Sequence, residues 1–360
     1  MKSISVGIIG AGAWGTGMAQ AISRGNNKVQ IWALESEVTE SINNEHENKK
    51  FFPGFQLSEK ITASTDINEV AKDKDYLIIA SPSLYLASTI KKIINVPNIA
   101  NGLTIIGALT KGFVPNKNGP KLVLEEIESA LPSCYKGNTV YISGPSHAEE
   151  VAMGKLTGLI AASENPKNSI RFRNLLTLPG LMVYSSLDII GVQICAAAKN
   201  VIAVVYGALD AITKTSNIFG DNTESLLLAA GLNEIQRLGF AMGATHAETF
   251  TSIAGVGDLD VTCKSKYGRN RRFGQDLIQT DMLSKFNDID DLIANVQKIG
   301  YLPEGAIACK YINQIAAEKN IKLLICNGLY KIINKELTPE EFLKELSSPH
   351  PRRIYTRRTK

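Results

Sequence analysis

One lysine stands where a charged side chain is costly. Lys199 lies in the stretch C-A-A-A-K-N-V-I-A-V-V, whose apolar residues suit a buried helix. A buried ammonium group is strongly disfavoured without a partner, and burial lowers the pKa of a lysine toward neutral pH. Such a lysine can serve as a general acid or base, so Lys199 is our first candidate for proton transfer. The alternative is a lysine at a helix end whose ammonium group reaches solvent.

A glycine-rich segment further along the chain gathers more charge. Asp258, in S-I-A-G-V-G-D-L-D-V-T-C, is expected in a bend between helices, where its carboxylate could orient a lysine. The segment G-R-N-R-R-F-G then concentrates hydrogen-bond donors between Gly268 and Gly274. These donors suit a phosphate group, because arginine offers bidentate geometry. The alternatives are a solvated basic loop and a nucleic-acid surface, and the lack of an interleaved aromatic ladder argues against nucleic acid.

Two other polar segments follow predicted strands. Lys111, in A-L-T-K-G-F, follows the apolar run 103–108, and Ser146, in S-G-P-S-H-A, follows the run 139–142. Ligands of α/β proteins bind at the carboxyl ends of parallel strands. We therefore expect both segments to face a ligand.

A glycine loop lies near the start of the chain. The residues G-A-G-A-W-G at positions 10–15 follow the first predicted strand directly and open the first predicted helix. Gly10 allows a tight turn, Gly12 lets the backbone approach a pyrophosphate, and Gly15 lets the helix pack closely on the strand. The N–H groups at the start of the helix add a partial positive charge. The pattern predicts a dinucleotide site, with structural glycines as the alternative.

The acid expected in such a site is Glu35, which lies 20 residues after Gly15 at the end of the second predicted strand. A carboxylate there accepts a hydrogen bond from the ribose 2′-hydroxyl of NAD and repels the 2′-phosphate of NADP. The alternative is an acid in the first turn of a helix that begins near Ser36. On this residue we favour NAD over NADP, and we expect a lower KM for NADH than for NADPH.

These residues need a scaffold that alternates strands and helices. In the first half, short β-branched runs alternate with helical stretches, which predicts parallel strands with crossover helices. From about Leu187, apolar residues recur at helical spacing without a convincing strand. The fold class is therefore α/β, with an N-terminal Rossmann-type doubly wound domain followed by a mostly α-helical C-terminal domain. The predicted strands are 4–9, 29–32, 76–80, 103–108, 139–142 and 158–162, and the predicted helices are 12–24, 36–44, 84–94, 120–130, 192–212, 223–242, 246–253, 306–318 and 339–346.

The length of 360 residues suggests two domains, which we place at 1–190 and 191–346, with a basic C-terminal tail at 347–360. A composition of 44% apolar and 21% charged residues excludes collagen, coiled coil and general disorder. The net charge is +4, but the last twelve residues hold five Lys or Arg and no acid, so the other 348 residues carry a net charge of −1. The body of the chain thus gives no sign of a nucleic-acid partner.

Two apolar stretches raise the question of a membrane. Residues 1–23 could pass for a signal peptide, but the five glycines from Gly7 to Gly17 fit a dinucleotide loop better. Residues 192–212 are long enough to span a bilayer, yet they contain polar and charged residues, so we expect a buried core helix and no integral membrane segment. Five scattered cysteines without a C-x-x-C pair and only four histidines predict reduced thiols, a cytoplasmic protein and no metal site.

Taken together, these motifs resemble one enzyme family. The ordered set G-A-G-A-W-G-T, T-K-G, S-G-P-S-x-A, A-x-K-N-V-I-A, G-V-G-D-L and G-R-N-R-R-F-G is similar to bacterial NAD(P)-dependent glycerol-3-phosphate dehydrogenase. The motifs run from residue 10 to 274, and P-E-G at 303–305 extends the likeness to about residue 345. The resemblance implies interconversion of dihydroxyacetone phosphate and sn-glycerol 3-phosphate with NADH or NADPH. It also implies supply of glycerol 3-phosphate for phospholipid synthesis, and a homodimer.

The resemblance implies roles for single residues as well. Lys199 would exchange a proton with the C2 oxygen of the substrate, and Lys111 would lie near substrate and cofactor; with Asp258 they form the expected catalytic set. The expected substrate contacts are Lys111, Gly144, Ser146, Lys199, Asp258, Gly268, Arg269 and Asn270. With the glycine loop and Glu35 included, the expected cofactor contacts are Gly10, Gly12, Ala13, Trp14, Gly15, Glu35, Lys111, Ala148, Arg269 and Glu304.

Three positions depart from the family pattern. Gly268 stands where relatives usually have serine or threonine, which removes a side-chain contact to phosphate, although its N–H can still donate. His147 replaces an aromatic residue. Leu34 precedes Glu35 where NADP-using relatives tend to place arginine, and this difference strengthens the preference for NAD.

Two alternative functions differ in class. One is another dehydrogenase with the same two-domain plan, such as a 3-hydroxyacyl-CoA or β-hydroxyacid dehydrogenase, which would lack the G-R-N-R-R-F-G segment. The other is a redox-sensing NAD-binding regulator whose basic tail contacts nucleic acid, and it leaves the apolar setting of Lys199 unexplained. We therefore expect a small phosphorylated substrate as the partner, and no nucleic acid.

Overall fold

An eight-stranded sheet organises the N-terminal part of the chain, with the strand order β3-β2-β1-β4-β5-β6-β7-β8. The computed structural model describes residues 4–25, 27–117, 119–213, 216, 218–265 and 268–347. After β3 the chain returns to the other side of β1, so β1 and β4 mark a topological switch point, where α/β proteins bind ligands. The strands are β1 (Ser5–Ile9), β2 (Lys28–Trp32), β3 (Ile61–Ser64), β4 (Tyr76–Ile79), β5 (Ile105–Ala108), β6 (Val140–Ser143), β7 (Thr157–Ala162) and β8 (Leu181–Ser186).

Helices cover both faces of this sheet, because its strands are apolar on both sides and must be shielded from water. One face packs against Met18, Ile22 and Phe172, and the other against Ile90 and Ile127, all of them fully buried. The helices of this part are α1 (Ala13–Ser23), α2 (Ser36–Glu45), α3 (Ile67–Ala71), α4 (Leu86–Lys91), α5 (Pro97–Ala100), α6 (Val123–Ala130), α7 (Ala148–Met153) and α8 (Pro166–Leu176).

The described remainder, from Ile189 onward, is arranged around one long helix, α9. This helix of 25 residues is apolar and long enough to cross a membrane, but 89% of its apolar window is buried inside the protein. The prediction of a buried core helix is therefore confirmed. The helices of this part are α9 (Ile189–Thr213), α10 (Asp221–Met242), α11 (Glu248–Thr251), α12 (Asp258–Lys264), α13 (Arg269–Gln279), α14 (Ile289–Ala294), α15 (Glu304–Glu318), α16 (Leu324–Ile333) and α17 (Pro339–Ser347).

Helices α9 and α13 cross at two glycines. A β-carbon on Gly207 would overlap the carbonyl oxygen of Arg271, and a β-carbon on Gly274 would overlap that of Val204. The backbones can therefore approach more closely than side chains would allow. This crossing fixes the first turn of α13 relative to the middle of α9.

One pair of neighbouring strands runs against expectation. The strands are parallel except for β6 and β7, which pair antiparallel, so the prediction of parallel strands throughout is wrong at this point. The connection between them forms α7, which packs on α1 where a β-carbon on Gly17 would lie 2.8 Å from the carbonyl oxygen of Ala148. Because this connection stays beside α1 and does not cross the sheet, β7 re-enters in the opposite direction.

The predicted fold class is confirmed, and all six predicted strands lie within two residues of the observed ones. Strands β3 and β8 were missed: they are the two edge strands of the sheet, and their side chains alternate between buried and exposed. The predicted helix 84–94 is too long, because α4 ends at Lys91. The domain boundary at 190/191 stays a prediction and falls inside α9, and the tail beyond Ser347 lies outside the described residues.

Candidate active site

A carboxylate and two ammonium groups meet where the carboxyl edge of the sheet adjoins α9. Lys199 on α9 donates from Nζ to Asp258 Oδ1 and, over 2.9 Å, to Thr262 Oγ1. Lys111, three residues beyond β5, places its Nζ 3.1 Å from Asp258 Oδ2. Ser143, the last residue of β6, places its Oγ 3.4 Å from the same oxygen. The structure thus brings the three expected catalytic residues together from distant segments.

Helix α12 gives this cluster its geometry. Asp258 is the first residue of α12 and directly follows a π-helical turn, Ile253–Gly257. The prediction that Asp258 lies in a bend is therefore wrong, because its carboxylate projects from the start of a helix. Thr262 lies one turn later on the same face, which explains why both side chains reach Lys199. The hydroxyl of Thr262 in turn donates to the carbonyl oxygen of Asp258 over 2.6 Å.

Burial and mutual charge set the protonation of the cluster. Lys199 is only 4% exposed, which excludes a lysine whose ammonium group reaches solvent. Burial lowers the pKa of Lys199 to about 7. The positive charge of Lys111 also lowers this pKa, whereas the carboxylate of Asp258 raises it. Burial alone would raise the pKa of Asp258, but the ammonium groups of Lys111 and Lys199 hold that pKa below its usual value. The site therefore contains a stable carboxylate beside an amine that can gain or lose a proton near neutral pH.

The expected phosphate-binding segment is helical. Residues 269–272 form the first turn of α13, so the alternative interpretation of this segment as a solvated basic loop is wrong. Gly268 caps this helix with extended backbone and no side-chain hydrogen bond to the first turn, which leaves N–H groups at the helix start. Anions bind readily at such a position.

The three arginines of this helix pair with three different acids. The side chain of Arg269 is 58% exposed, and its Nη2 lies 3.7 Å from Glu304 Oε1. Arg271 instead pairs with Asp210 over 3.0 Å, and Arg272 is paired with Asp276 on its own helix.

An ion pair and three hydrogen bonds link Arg269 to α9. Glu304, the partner of Arg269, accepts from Asn200 Nδ2 over 3.4 Å. Asn270 donates to Asn200 Oδ1 over 3.0 Å and accepts from the N–H of Gly305 over 2.8 Å. Since Asn200 is adjacent to Lys199 in the sequence, these contacts connect Arg269 to the turn of α9 that carries Lys199.

The loop after β6 lies beside the same cluster. Gly144 has a φ of +130°, and a β-carbon there would lie 2.7 Å from the carbonyl oxygen of Gly158. Ser146 Oγ donates to the carbonyl oxygen of Gly144 over 2.9 Å. His147 is half-buried, and burial lowers the pKa of its imidazole. Ala148 then begins α7 and contacts α1.

The glycine loop has the shape that a pyrophosphate needs. Gly10 has a φ of +125°, and a β-carbon there would lie 2.8 Å from the backbone of Ala80. A β-carbon on Gly15 would overlap the carbonyl oxygen of Gly10. By contrast, nothing in the described structure lies within 4 Å of a β-carbon built on Gly12, so the space above the loop is open. Helix α1 begins at Ala13 without a side-chain cap, which leaves its N–H groups for a ligand.

Two buried polar atoms near this loop lack partners. Within the described residues, neither Trp14 Nε1 nor Ser81 Oγ has a hydrogen-bond partner. Ser81 is 3% exposed and lies two residues beyond β4, beside the switch point with β1. Buried polar groups are almost always hydrogen-bonded, so these atoms fit the polar groups of a bound dinucleotide.

Glu35 lies where the sequence placed it, three residues beyond β2 and immediately before α2. Its side chain makes no capping hydrogen bond to α2, which weakens the alternative of an acid that serves only the helix. Lys50 Nζ lies 3.6 Å from Glu35 Oε1. The carboxylate is therefore not isolated, and no local sequence pattern predicts this partner.

Sequence reasoning missed several residues of the site. Ser81 could have been found, because it follows β4 just as Lys111 follows β5. Thr262 could have been found from its helical spacing to Asp258, had α12 been predicted. No local pattern marks Ser143 or Lys50, because their partners lie far away in the sequence.

Comparisons with known proteins agree with this arrangement. Residues 5–169 match the family of the NAD-dependent glycerol-3-phosphate dehydrogenase N-terminus, and residues 188–344 match that of its C-terminus. The chain is 56% identical over 347 residues to glycerol-3-phosphate dehydrogenase [NAD(P)+] of Treponema denticola, covering 95% of this chain and 97% of the relative. It is 34% identical to the protein of that name from Bacillus subtilis, over 92% of this chain and 90% of the relative.

A solved structure gives the same result. The crystal structure of glycerol-3-phosphate dehydrogenase from Coxiella burnetii superimposes with a TM-score of 0.81 at 29% identity, over 96% of this chain and 98% of that one. The matched regions include the glycine loop, the lysine–carboxylate cluster and α13. The resemblance drawn from the motifs is thereby confirmed, and the chain belongs to the NAD-dependent glycerol-3-phosphate dehydrogenase family.

Proposed function

We propose that this protein interconverts dihydroxyacetone phosphate and sn-glycerol 3-phosphate with NADH or NADPH as the hydride donor. The observation that carries the proposal is the buried cluster of Lys199, Asp258 and Lys111 at the carboxyl edge of the sheet that also holds the glycine loop. We further propose that it works in the cytoplasm as a homodimer and supplies glycerol 3-phosphate for phospholipid synthesis, as family membership suggests.

The chemistry assigned to Lys199 follows from its protonation. The bound nicotinamide would supply the hydride that reduces C2 of the ketone. As C2 gains that hydride, the electron pair of the C=O bond moves to oxygen, where the Lys199 ammonium group stabilises the charge and donates its proton. The neutral amine then takes a proton from solvent. In the reverse direction, the neutral amine accepts the proton of the C2 hydroxyl.

Asp258 and Thr262 act through Lys199. They occupy two of the directions in which its ammonium group can donate, so the remaining N–H is left for substrate. Asp258 also pairs with Lys111. The side chain of Lys111 is 14% exposed, so its ammonium group can reach a ligand. We assign Asp258 as a positioning residue and Lys111 as a contact of substrate and cofactor.

The remaining expected residues divide between the two ligands. For the substrate phosphate we propose Arg269, Asn270 and the N–H groups that follow Gly268, with Gly144 and Ser146 on the opposite side. For the cofactor, we propose the glycine loop for the pyrophosphate and Glu35 for the adenosine ribose. The other proposed cofactor contacts are Ala13, Trp14, Lys111, Ala148, Arg269 and Glu304.

The first test is the loss of NADH absorbance on adding dihydroxyacetone phosphate, repeated with NADPH. We expect turnover with the phosphorylated ketone and none with 2-hydroxyacids. Turnover with a hydroxyacid, and none with dihydroxyacetone phosphate, would contradict the proposal.

Arg269→Ala tests the phosphate contact. Loss of a charge-assisted hydrogen bond should raise the KM for dihydroxyacetone phosphate by about ten- to a hundredfold. At saturating NADH, where a weakened cofactor contact has no effect on occupancy, it should leave kcat/KM for unphosphorylated dihydroxyacetone nearly unchanged. The control is Arg272→Ala on the same helix, whose side chain is 69% exposed and paired with Asp276. An equal loss with both ketones would show that Arg269 does not bind phosphate.

A further inference from the structure

Lys50 lies beside the acid that follows β2, although it comes from a segment beyond α2. Its Nζ is 3.6 Å from Glu35 Oε1 and also donates to Glu37. The ammonium group lies 5.4 Å from the ring centre of the adjacent Phe51. A cation and an aromatic ring therefore stand together at the position proposed for the adenosine ribose.

The segment that carries Lys50 is fixed to the glycine loop. Asn48 is fully buried and donates from Nδ2 to the carbonyl oxygen of Ala11 over 2.7 Å and to Thr16 Oγ1 over 2.9 Å. Its Oδ1 accepts from the N–H of Phe51 over 3.1 Å. The neighbouring Phe52 is 1% exposed and lies in the core. Lys50 is thus held in register with the cofactor loop by buried contacts on both sides.

The charges at this position decide which ribose is accepted. A free carboxylate at Glu35 would favour the 2′-hydroxyl of NAD and repel the 2′-phosphate of NADP. Leu34 supplies no cation there and is 71% exposed. Lys50 neutralises Glu35, and its side chain is 43% exposed, so it can turn toward a ligand. Exposed ion pairs contribute little stability, and a phosphate dianion can therefore displace the carboxylates as the partner of the ammonium group.

We propose that Lys50 is the residue that lets this site accept the 2′-phosphate of NADP(H). With NAD(H), the ammonium group stays on Glu35 and Glu37, and Glu35 retains an oxygen for the 2′-hydroxyl. With NADP(H), it leaves Glu35 for the 2′-phosphate. The inference rests on the proposed function only in taking Glu35 as the contact of the adenosine ribose.

The test measures the dissociation constants of NADH and NADPH for the full chain. Binding is monitored by the fluorescence of the nucleotide, in the absence of substrate. Lys50→Ala should raise the Kd for NADPH by about tenfold or more, because a charge-assisted hydrogen bond is lost. It should change the Kd for NADH by less than about twofold, since that cofactor has no charge at the 2′ position. Lys50→Arg should keep NADPH binding close to that of the unmodified protein.

Lys49→Ala is the matched control, because Lys49 is the adjacent exposed lysine and pairs with Glu45. It should leave both dissociation constants unchanged. Equal weakening of both nucleotides by Lys50→Ala would overturn the proposal, as would unchanged NADPH binding or the absence of NADPH binding in the unmodified protein. Since no substrate is present, failure to reduce dihydroxyacetone phosphate would contradict the proposed function but leave this result standing.

Discussion

At the scale of single residues, the proton on Lys199 depends on groups that are far apart in the sequence. Burial favours the neutral amine, the carboxylate of Asp258 favours the ammonium form, and Lys111 opposes it. The result is a pKa of about 7, close to the value at which a general acid is most useful. A lysine of ordinary pKa would hold its proton too firmly to exchange it with a substrate oxygen at neutral pH.

The pH dependence of turnover follows from this balance. Ketone reduction needs the protonated lysine, so kcat/KM, which reports the ionisations of the free protein, should fall as pH rises through about 7. Alcohol oxidation needs the neutral amine, so its kcat/KM should rise through the same pH. Both profiles can be measured at substrate concentrations well below KM between about pH 6 and pH 9.

Lys199→Ala should remove this ionisation from both profiles and lower kcat by about 10²–10⁴-fold. The control is Lys264→Ala, since Lys264 is exposed on α12 and pairs with Asp260. If Lys199→Ala kept either profile and lost less than about tenfold in kcat, the proton donor would lie elsewhere.

At the scale of helices and strands, predictions succeeded where the pattern is local. The glycine loop, the strands before it and after it, and α9 each carry their apolar spacing within a few residues. Helix α13 was missed because R-N-R-R between glycines is typical of a loop. It is helical because Phe273 and Gly274 pack on α9, which only the tertiary structure reveals.

The same reason limits prediction of the site. Lys199 could be recognised from its apolar neighbours alone, and Lys111 from its place after a strand. The partners Ser143 and Lys50 could not, because each acts across a contact between segments distant in sequence. Residue type and spacing were enough to predict the two lysines as site residues. Their partners depend on tertiary packing, which a local sequence pattern does not show.

The crossing of α9 and α13 provides a prediction at this scale. Gly274→Ala should force the helices apart, because the new β-carbon would overlap the carbonyl oxygen of Val204. We expect a loss of about 1–3 kcal/mol in the free energy of unfolding, measured with urea. The KM for dihydroxyacetone phosphate should rise as well, because Arg269 begins the displaced helix.

Gly220→Ala provides the comparison for this variant. Gly220 has extended backbone, and nothing described lies within 4 Å of a β-carbon there. Its cost should be only that of a less favoured N-cap residue on α10, about 0.5–1 kcal/mol. Equal stability of the two variants would show that the close crossing is not required.

At the scale of the whole molecule, the net charge of +4 says little about the ligand. The surplus lies in the C-terminal twelve residues, of which none is among the described residues. The cations of the proposed site are Lys111, Lys199 and Arg269, and they come from the end of β5, from α9 and from α13. These three cations, and not the surplus on the tail, are the groups that we propose for binding the small phosphorylated ketone.

The cluster of Lys111, Lys199 and Asp258 also joins the sheet to the helical part, and this gives a prediction for stability. Asp258 contacts Lys111 and Ser143 on one side and Lys199 on the other, and it is 1% exposed. Asp258→Ala would leave the buried ammonium group of Lys199 and the partly buried one of Lys111 without their shared partner. We expect this variant to lose about 3–5 kcal/mol in the free energy of unfolding.

Replacing the whole cluster should cost less than breaking it. In the triple variant Lys111→Met, Lys199→Met and Asp258→Leu, no desolvated charge remains, and apolar side chains of similar volume fill the space. It should be inactive, yet more stable toward urea than Asp258→Ala alone. A triple variant less stable than the single one would show that the cluster stabilises the junction as well as serving catalysis. If the triple variant is the more stable of the two, as we expect, the charged groups lower the stability of this junction and serve proton transfer.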